Sequence, residues 1–308
     1  MSAQTTRVLP YGAEAIAEAA RLIARGKPVA MPTETVYGLA ADATNGDAVA
    51  RIYAAKGRPA FNPLIVHVRN VAQAAEFASF DDEALALAER HWPGPLTLVL
   101  PLRQGASIAS LVTAGLATIA VRAPAHPAMR DLLDAAGRPL AAPSANASGR
   151  ISPTRASHVL ASLGGRIPLI VDAGPTAHGL ESTIVAATGG RLRLLRPGPI
   201  DLGLGAESAA RVEAPGQLES HYAPTKPLRL DADVAAPGEW LIGFGEIGGD
   251  ATLSASGDLI EAAAKLFETL YEAEQHESTA IAVAPVPRHG LGLAINDRLR
   301  RAAAPGRG

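Results

Sequence analysis

Along the first two-thirds of the chain, short unbroken apolar runs alternate with stretches whose apolar residues recur at helical spacing. The runs at residues 28–31, 64–68, 96–100, 118–122, 140–142 and 169–171 predict strands. Helical spacing predicts helices over residues 13–25, stopped by Gly26, and 48–56, with Asp47 as the N-cap and Gly57 as the stop. It also predicts helices over 71–77, 82–91, 127–135 and 154–163. Residues 182–187 and 192–196 flank Thr188-Gly189-Gly190-Arg191, a hairpin signal. Helices interleaved with strands, one pair of them a hairpin, imply an α/β or α+β sheet of mixed strand direction.

Periodicity fades over residues 201–227, where Gly203, Gly205, Pro215, Gly216, Pro224 and Pro227 gather. That stretch reads as a linker, although His221-Tyr222-Ala223-Pro224 is too particular for a spacer. From Leu228 a second pattern begins: a strand at 240–243, helical spacing from Leu259 through Phe267 to Tyr271, a strand at 279–284, and a basic helix over 296–303. A small α/β unit is expected there, and no internal repeat is visible.

Composition narrows the function classes. With 308 residues, 48% hydrophobic and 19% charged, the chain is long enough for two domains and reads as globular. Aromatics are 4%, so Ala, Val, Leu and Ile must fill the core. A net charge of −2 gives no global attraction for nucleic acid or anionic membranes, so a bound nucleotide needs a local group of cations. The absence of cysteine excludes disulfides, thiolate catalysis and zinc–thiolate sites. No secretory leader pattern opens the chain, and no apolar run approaches the roughly 18 residues of a membrane span, so a soluble cytoplasmic protein is expected.

The chemistry-bearing segments fall at the ends of these elements. No G-x-x-x-x-G-K-[ST] loop exists. Gly243-Phe244-Gly245-Glu246-Ile247-Gly248 follows a strand, but a polar loop succeeds it, and it reads as a turn rather than a dinucleotide fingerprint. Lys56-Gly57-Arg58-Pro59-Ala60-Phe61-Asn62-Pro63 puts two cations and an amide in the turn before the strand that carries His67. Pro143 to Gly149 is a run of small hydroxyl and amide residues able to bind anions through N–H and O–H groups, and Ser152-Pro153-Thr154 opens the next helix. Arg122 and Arg196 each close an apolar strand. Helix-dipole complementation explains Lys56 alone, and solvation explains a strand-end arginine alone. Four cations at element ends in a faintly acidic chain suit a polyphosphate pocket better.

These segments resemble, in order, the motifs of the YrdC-like domain of the threonylcarbamoyl-AMP synthase family. They are Pro32-Thr33-Glu34-Thr35-Val36-Tyr37-Gly38-Leu39, Lys56-Gly57-Arg58 with Asn62-Pro63-Leu64, Trp92-Pro93-Gly94-Pro95-Leu96-Thr97, Val121-Arg122-Ala123-Pro124, Pro143-Ser144-Ala145-Asn146 and Ser182-Thr183-Ile184. Ser220-His221-Tyr222-Ala223-Pro224 and the stretch Gly290 to Arg300 resemble the linker and C-terminal domain of longer members. Ala40-Ala41-Asp42 departs mildly, where members often carry another glycine. The resemblance implies a strongly twisted mixed sheet around a large concave cleft over residues 1–204, a linker at 205–227, and a small Rossmann-like α/β domain at 228–308.

It also implies the reaction: L-threonine, bicarbonate or CO2, and ATP give threonylcarbamoyl-AMP and pyrophosphate, and a separate complex passes the threonylcarbamoyl group to a tRNA adenosine beside the anticodon. Nucleotidyl transfer is largely positioning and charge neutralisation, so the lack of a protein nucleophile is expected. By family analogy Thr35, His67, Arg122, Ala142 and Ser182 hold threonine, and Arg58, Asn62, Thr118, Ser144, Ser152, Arg196 and the linker's Tyr222 hold ATP. Lys56 and Arg58 are the candidate catalytic cations. Mg2+ is expected to travel with the ATP phosphates, with no confident protein ligand, and Glu34 is a candidate contact to metal or amine. A second reading, an RNA-binding module without ATP turnover, meets the −2 charge and few aromatics as obstacles, and stable nucleic-acid binding is not expected. Related carbamoyl-phosphate chemistry belongs to larger chains with zinc fingers, which a cysteine-free chain cannot build.

Overall fold

The computed structural model describes residues 5–205, 213–217 and 220–304. The expected linker thus falls partly outside the described residues. The first unit runs β1 (Arg7–Pro10), α1 (Ala13–Ala24), β2 (Val29–Met31), β3 (Gly38–Asp42), α2 (Gly46–Lys56), β4 (Ile65–His67), α3 (Val71–Ala74) and α4 (Asp82–His91). It continues through β5 (Leu96–Pro101), α5 (Ser110–Thr113), β6 (Thr118–Arg122), α6 (Pro127–Ala136), β7 (Leu140–Ala141), α7 (Ala156–Leu163), β8 (Leu169–Asp172), β9 (Thr183–Ala187) and β10 (Leu192–Arg196).

Ten strands join in the order β1-β8-β2-β3-β7-β4-β6-β5-β9-β10. The sheet is mixed, as expected: β4 runs parallel to β6 and β5 to β9, whereas β3 and β4 both pair antiparallel with β7. Most strands are buried along their length, which explains why they read as continuous apolar runs. The hairpin β9–β10 forms, with Ala187 opposite Leu192, because Gly189 and Gly190 take the positive φ values (67° and 71°) that its tight turn demands.

Several element ends differ from the sequence reading. The cap of α2 is Asn45, not Asp47: its Oδ1 accepts the N–H groups of Asp47 at 3.0 Å and Ala48 at 3.1 Å. α7 starts at Ala156 because Arg155 is still extended, and α3 stops at Ala74. β3 escaped prediction because Gly38-Leu39-Ala40-Ala41-Asp42 has weak strand propensity; its burial between β2 and β7 decides its form.

The second unit comprises β11 (Leu228–Arg229), β12 (Glu239–Gly243), β13 (Ala251–Thr252), α8 (Leu259–Gln275), β14 (Ala280–Val283) and α9 (Gly292–Ala303). Its sheet, β11-β14-β12-β13, is wholly parallel. The last helix begins four residues before the sequence reading put it, with the N–H groups of Gly292, Leu293 and Ala294 closing tight turns onto carbonyls three residues back. The glycine motif after β12 is a turn, in which Phe244 bridges Ile247.

The two units share a core. Val36, Ile151, Leu180 and Tyr222 belong to the same apolar cluster as Trp240, Phe267, Leu270 and Leu299. Tyr271 stacks on His158 at 3.9 Å and donates to the Ile151 carbonyl at 2.9 Å. Gly179 (φ 66°) lies directly on α8, and a Cβ there would stand 2.4 Å from the Ala264 carbonyl. Gly179→Ala is therefore expected to cost about 2–3 kcal/mol, combining left-handed strain with an overpacked seam, read as a lowered urea midpoint.

Candidate active site

Strand register builds one wall of the site. Parallel pairing puts His67, the last residue of β4, beside Arg122, the last of β6, and antiparallel pairing sets Leu140 of β7 against His67. The loop between β2 and β3 folds over these ends. There the Thr33 hydroxyl donates to the Val36 carbonyl at 2.6 Å and lies 2.8 Å from Thr35 Oγ1, which fixes the Thr-Glu-Thr turn. Arg122 then collects three partners: Nη2 donates to Glu34 Oε1 at 2.5 Å, Nη1 to Thr35 Oγ1 at 2.8 Å, and Nε to the Gly94 carbonyl at 3.1 Å. Two of its five donors remain for a ligand.

Glu34 is 7% exposed. Burial alone would raise its carboxyl, but the charge and hydrogen bond of Arg122 outweigh that and hold it down at about 2. A folded-state value below the unfolded one stabilises the fold above the unfolded value. The pair's contribution, about 3 kcal/mol, is thus complete near neutrality and lost as pH falls from about 4.5 through about 2. Over that window the stability advantage of the parent chain over Glu34→Gln is expected to shrink, followed by urea unfolding at stepped pH; a constant difference would refute the assignment.

The opposite wall is cationic. Arg58, 8% exposed, donates to the carbonyls of Asn62 (3.1 Å) and Pro63 (2.8 Å). Arg196, on β10, donates through Nε and Nη2 to the carbonyl and hydroxyl of Ser182, both at 3.0 Å, and Ser182 Oγ lies 2.7 Å from Thr97 Oγ1. Among the described residues neither guanidinium forms an ion pair with a carboxylate. Burial pushes both arginines down, Arg58 to about 10, but a guanidinium keeps its proton in a folded protein, so both stay cationic. Two buried cations, neither of them in an ion pair, favour an anion in the cleft between them.

The linker supplies the cover. Pro215, Gly216, His221 and Tyr222 line the same cleft as both walls. Tyr222 holds a left-handed backbone (φ 63°), and its ring packs 5.6 Å from that of Phe267 on α8. Burial drives His67 down to about 3, and drives His221 down as well. Both are neutral imidazoles whose buried Nδ1 has no protein partner.

Of the residues named from sequence, the cleft gathers Thr35, Arg58, His67, Arg122, Ala142, Ser144, Ser182, Arg196 and Tyr222. Four others stand off its wall. Lys56 is buried, with Nζ donating to the carbonyls of Ser144 (2.6 Å) and Asn146 (2.5 Å), so it props the small-residue loop from behind; burial, then Arg58, pushes its pKa well down. Ser152 donates to Glu181 Oε1 at 2.5 Å. Asn62 is fully buried, and both polar atoms of its amide lack a protein partner. Thr118 opens β6, roughly 13 Å from Arg122 at the strand's far end. Sequence reasoning missed Glu181 and Pro215 on the wall; adjacency to Ser182 was the only signal for Glu181.

Among the described residues no three His, Asp or Glu side chains come together as a metal cage, and no helix is long and apolar enough to cross a membrane.

Two family models match the chain: one described as telomere recombination over residues 21–198, and one described as threonylcarbamoyl-AMP synthase, C-terminal domain, over residues 180–304. The threonylcarbamoyl-AMP synthase of Bacillus subtilis (strain 168) is 40% identical to it over 94% of this chain and 92% of the relative. That of Pyrococcus abyssi is 39% identical over 92% of this chain and 93% of the relative. The crystal structure of P. abyssi Sua5 complexed with L-threonine superposes with a TM-score of 0.88 at 37% identity, covering 97% of this chain and 98% of that one. By sequence over nearly its whole length, and by fold, the chain belongs to the threonylcarbamoyl-AMP synthase family.

Proposed function

We propose that the chain is a nucleotidyltransferase that makes threonylcarbamoyl-AMP and pyrophosphate from L-threonine, bicarbonate and ATP, with the cleft under Tyr222 as its active site. The observation that carries this reading is the division of the cleft. One wall holds Arg122, already neutralised by Glu34; the other holds Arg58 and Arg196, neither in an ion pair with a carboxylate, because nearby Glu181 is held by Arg298.

Threonine is placed on the first wall, its carboxylate on the two open Arg122 donors and its polar side among Thr35, Ser182 and the uncharged His67 ring. Its amine adds to CO2 released from bicarbonate, giving a carbamate, with one water and one proton leaving. A carbamate oxygen then attacks the α-phosphorus of ATP, the bond to the β-phosphate oxygen breaks, and pyrophosphate departs. Arg58 and Arg196 offset the charge that builds on the phosphates, and Ser144 and the loop propped by Lys56 line their path. Asn62, with its unpartnered amide behind Arg58, is the candidate nucleotide contact one layer deeper.

The acidic residues on the cleft do not suit a protein-held Mg2+: Glu34 is committed to Arg122 and Glu181 to Arg298. The ion is assigned instead to phosphate oxygens and water, where it would neutralise polyphosphate charge. The product is assigned to a separate tRNA threonylcarbamoyl transferase complex in the cytoplasm.

The test is direct. Protein, ATP, Mg2+, bicarbonate and L-threonine are expected to yield pyrophosphate and a threonylcarbamoyl adenylate resolved by mass spectrometry. Folded protein that releases no threonine-dependent pyrophosphate would overturn the reading.

A further inference from the structure

The second unit holds a crevice with no part in the chemistry above. It has about 750 Å3 of empty space and opens at the carboxyl ends of β11 and β14, where Leu230 and Ala284 leave the sheet. In open parallel sheets, the crevice beyond the strand carboxyl ends, between neighbouring strands whose connections diverge, is where ligands settle. β11 and β14 are such neighbours: β11 leads by a loop to β12, and β14 leads to α9.

Its lining has a definite chemical pattern. Leu230, Leu293 and Leu299 make an apolar floor, and Leu293 is among the few large apolar side chains left exposed, at 48%. The rim carries charge of both signs: Asp231 on one side, with Arg288 and Arg300. Both arginines are only loosely engaged. Arg288 Nη2 stands 3.8 Å from Asp231, and Arg300 Nη2 stands 3.6 Å from Asp297, each beyond a good hydrogen bond. Asp231 holds a left-handed backbone, φ 53°. A polyanion would meet the Asp231 carboxylate, and a hydrocarbon would make no use of the loose pairs Arg288–Asp231 and Arg300–Asp297, whose arginines are solvent-exposed. A zwitterion with an apolar tail suits both the rim and the floor.

We propose that this crevice binds a free α-amino acid with an apolar side chain, its ammonium on Asp231, its carboxylate on Arg288 and Arg300, and its tail over Leu293 and Leu299. The site is distinct from the threonine wall. α9 stands between the two: Leu293, Leu299 and Arg300 line the crevice, while Arg298 of the same helix reaches Glu181 on the catalytic cleft.

L-leucine is the probe, titrated calorimetrically into the full chain beside isocaproate, which lacks the ammonium, and isoamylamine, which lacks the carboxylate. Saturable L-leucine binding is expected, with each analogue at least about tenfold weaker. Asp231→Asn keeps a residue tolerant of left-handed backbone and is expected to weaken L-leucine by about tenfold or more, leaving isocaproate unchanged. Leu293→Lys, at a surface position, is expected to abolish binding while leaving the melting curve in place. The proposal falls if L-leucine shows no saturable binding up to millimolar concentrations, or if the analogues match it. It falls equally if inorganic phosphate displaces it, which would make the crevice a plain anion site, or if binding survives both substitutions, which would put L-leucine in the catalytic cleft.

Discussion

Arg122→Ala is expected to cut kcat/KM for L-threonine by at least about a hundredfold, while ATP affinity moves little. A charged hydrogen-bonding partner of a substrate carboxylate contributes roughly 1.5–3 kcal/mol, and its loss also frees Thr35, the other threonine contact that Arg122 fixes. The substitution has a second cost, because the Glu34 carboxylate is left buried with no cation beside it. The single variant is therefore expected to lose stability as well as activity. Glu34→Gln in the same chain removes that stranded charge, so the double variant should recover the urea midpoint and stay inactive. Arg196→Ala provides the contrast: it strips a cation from the other wall and is expected to raise the KM for ATP more than that for threonine. Equal losses for both substrates in both variants would show that the two walls are not divided as proposed.

The cations were legible in the sequence as types and positions, since each closes an apolar run or a helix. Their roles were not. Lys56 reads as a phosphate ligand until the fold brings the carbonyls of Ser144 and Asn146 onto its ammonium from ninety residues away. Glu34 left metal and amine readings open because its partner, Arg122, arrives through strand pairing that local sequence does not encode. The same pairing places His67 and Arg122 side by side: β4 and β6 are parallel neighbours, and the chain between them passes through β5 on the other side of β6. Helices were the easier part, because 3.6-residue spacing is a local signal. β3 was lost because tertiary burial, not propensity, makes Gly38 to Asp42 a strand. The linker's His221-Tyr222 pair was visible as an oddity, and the fold explains it as one side of the cleft that also packs on the second unit.

Arg298→Ala is expected to give the largest loss of stability of any single change considered, about 3–5 kcal/mol. Arg298 is fully buried at the seam. Its Nε donates to Glu181 Oε2 at 2.9 Å, Nη1 to the Pro197 carbonyl at 2.7 Å, and Nη2 to the Glu181 carbonyl at 3.3 Å, with Asp297 3.1 Å away and the Tyr222 ring centroid 5.5 Å from its guanidinium carbon. Truncation strands the Glu181 carboxylate and leaves two backbone carbonyls without a donor where water has little access. Because Glu181 also accepts from Ser152 and lines the cleft, the loss reaches the catalytic wall through a residue that belongs to the other unit. Arg298→Lys keeps the charge but not the planar fork whose separate nitrogens reach Glu181 and Pro197, so it should recover less than half of the loss. The check is the urea midpoint at constant m. A cost below about 1 kcal/mol for Arg298→Ala would mean that the seam is held by its apolar cluster alone, and that Glu181 keeps its place without a cation.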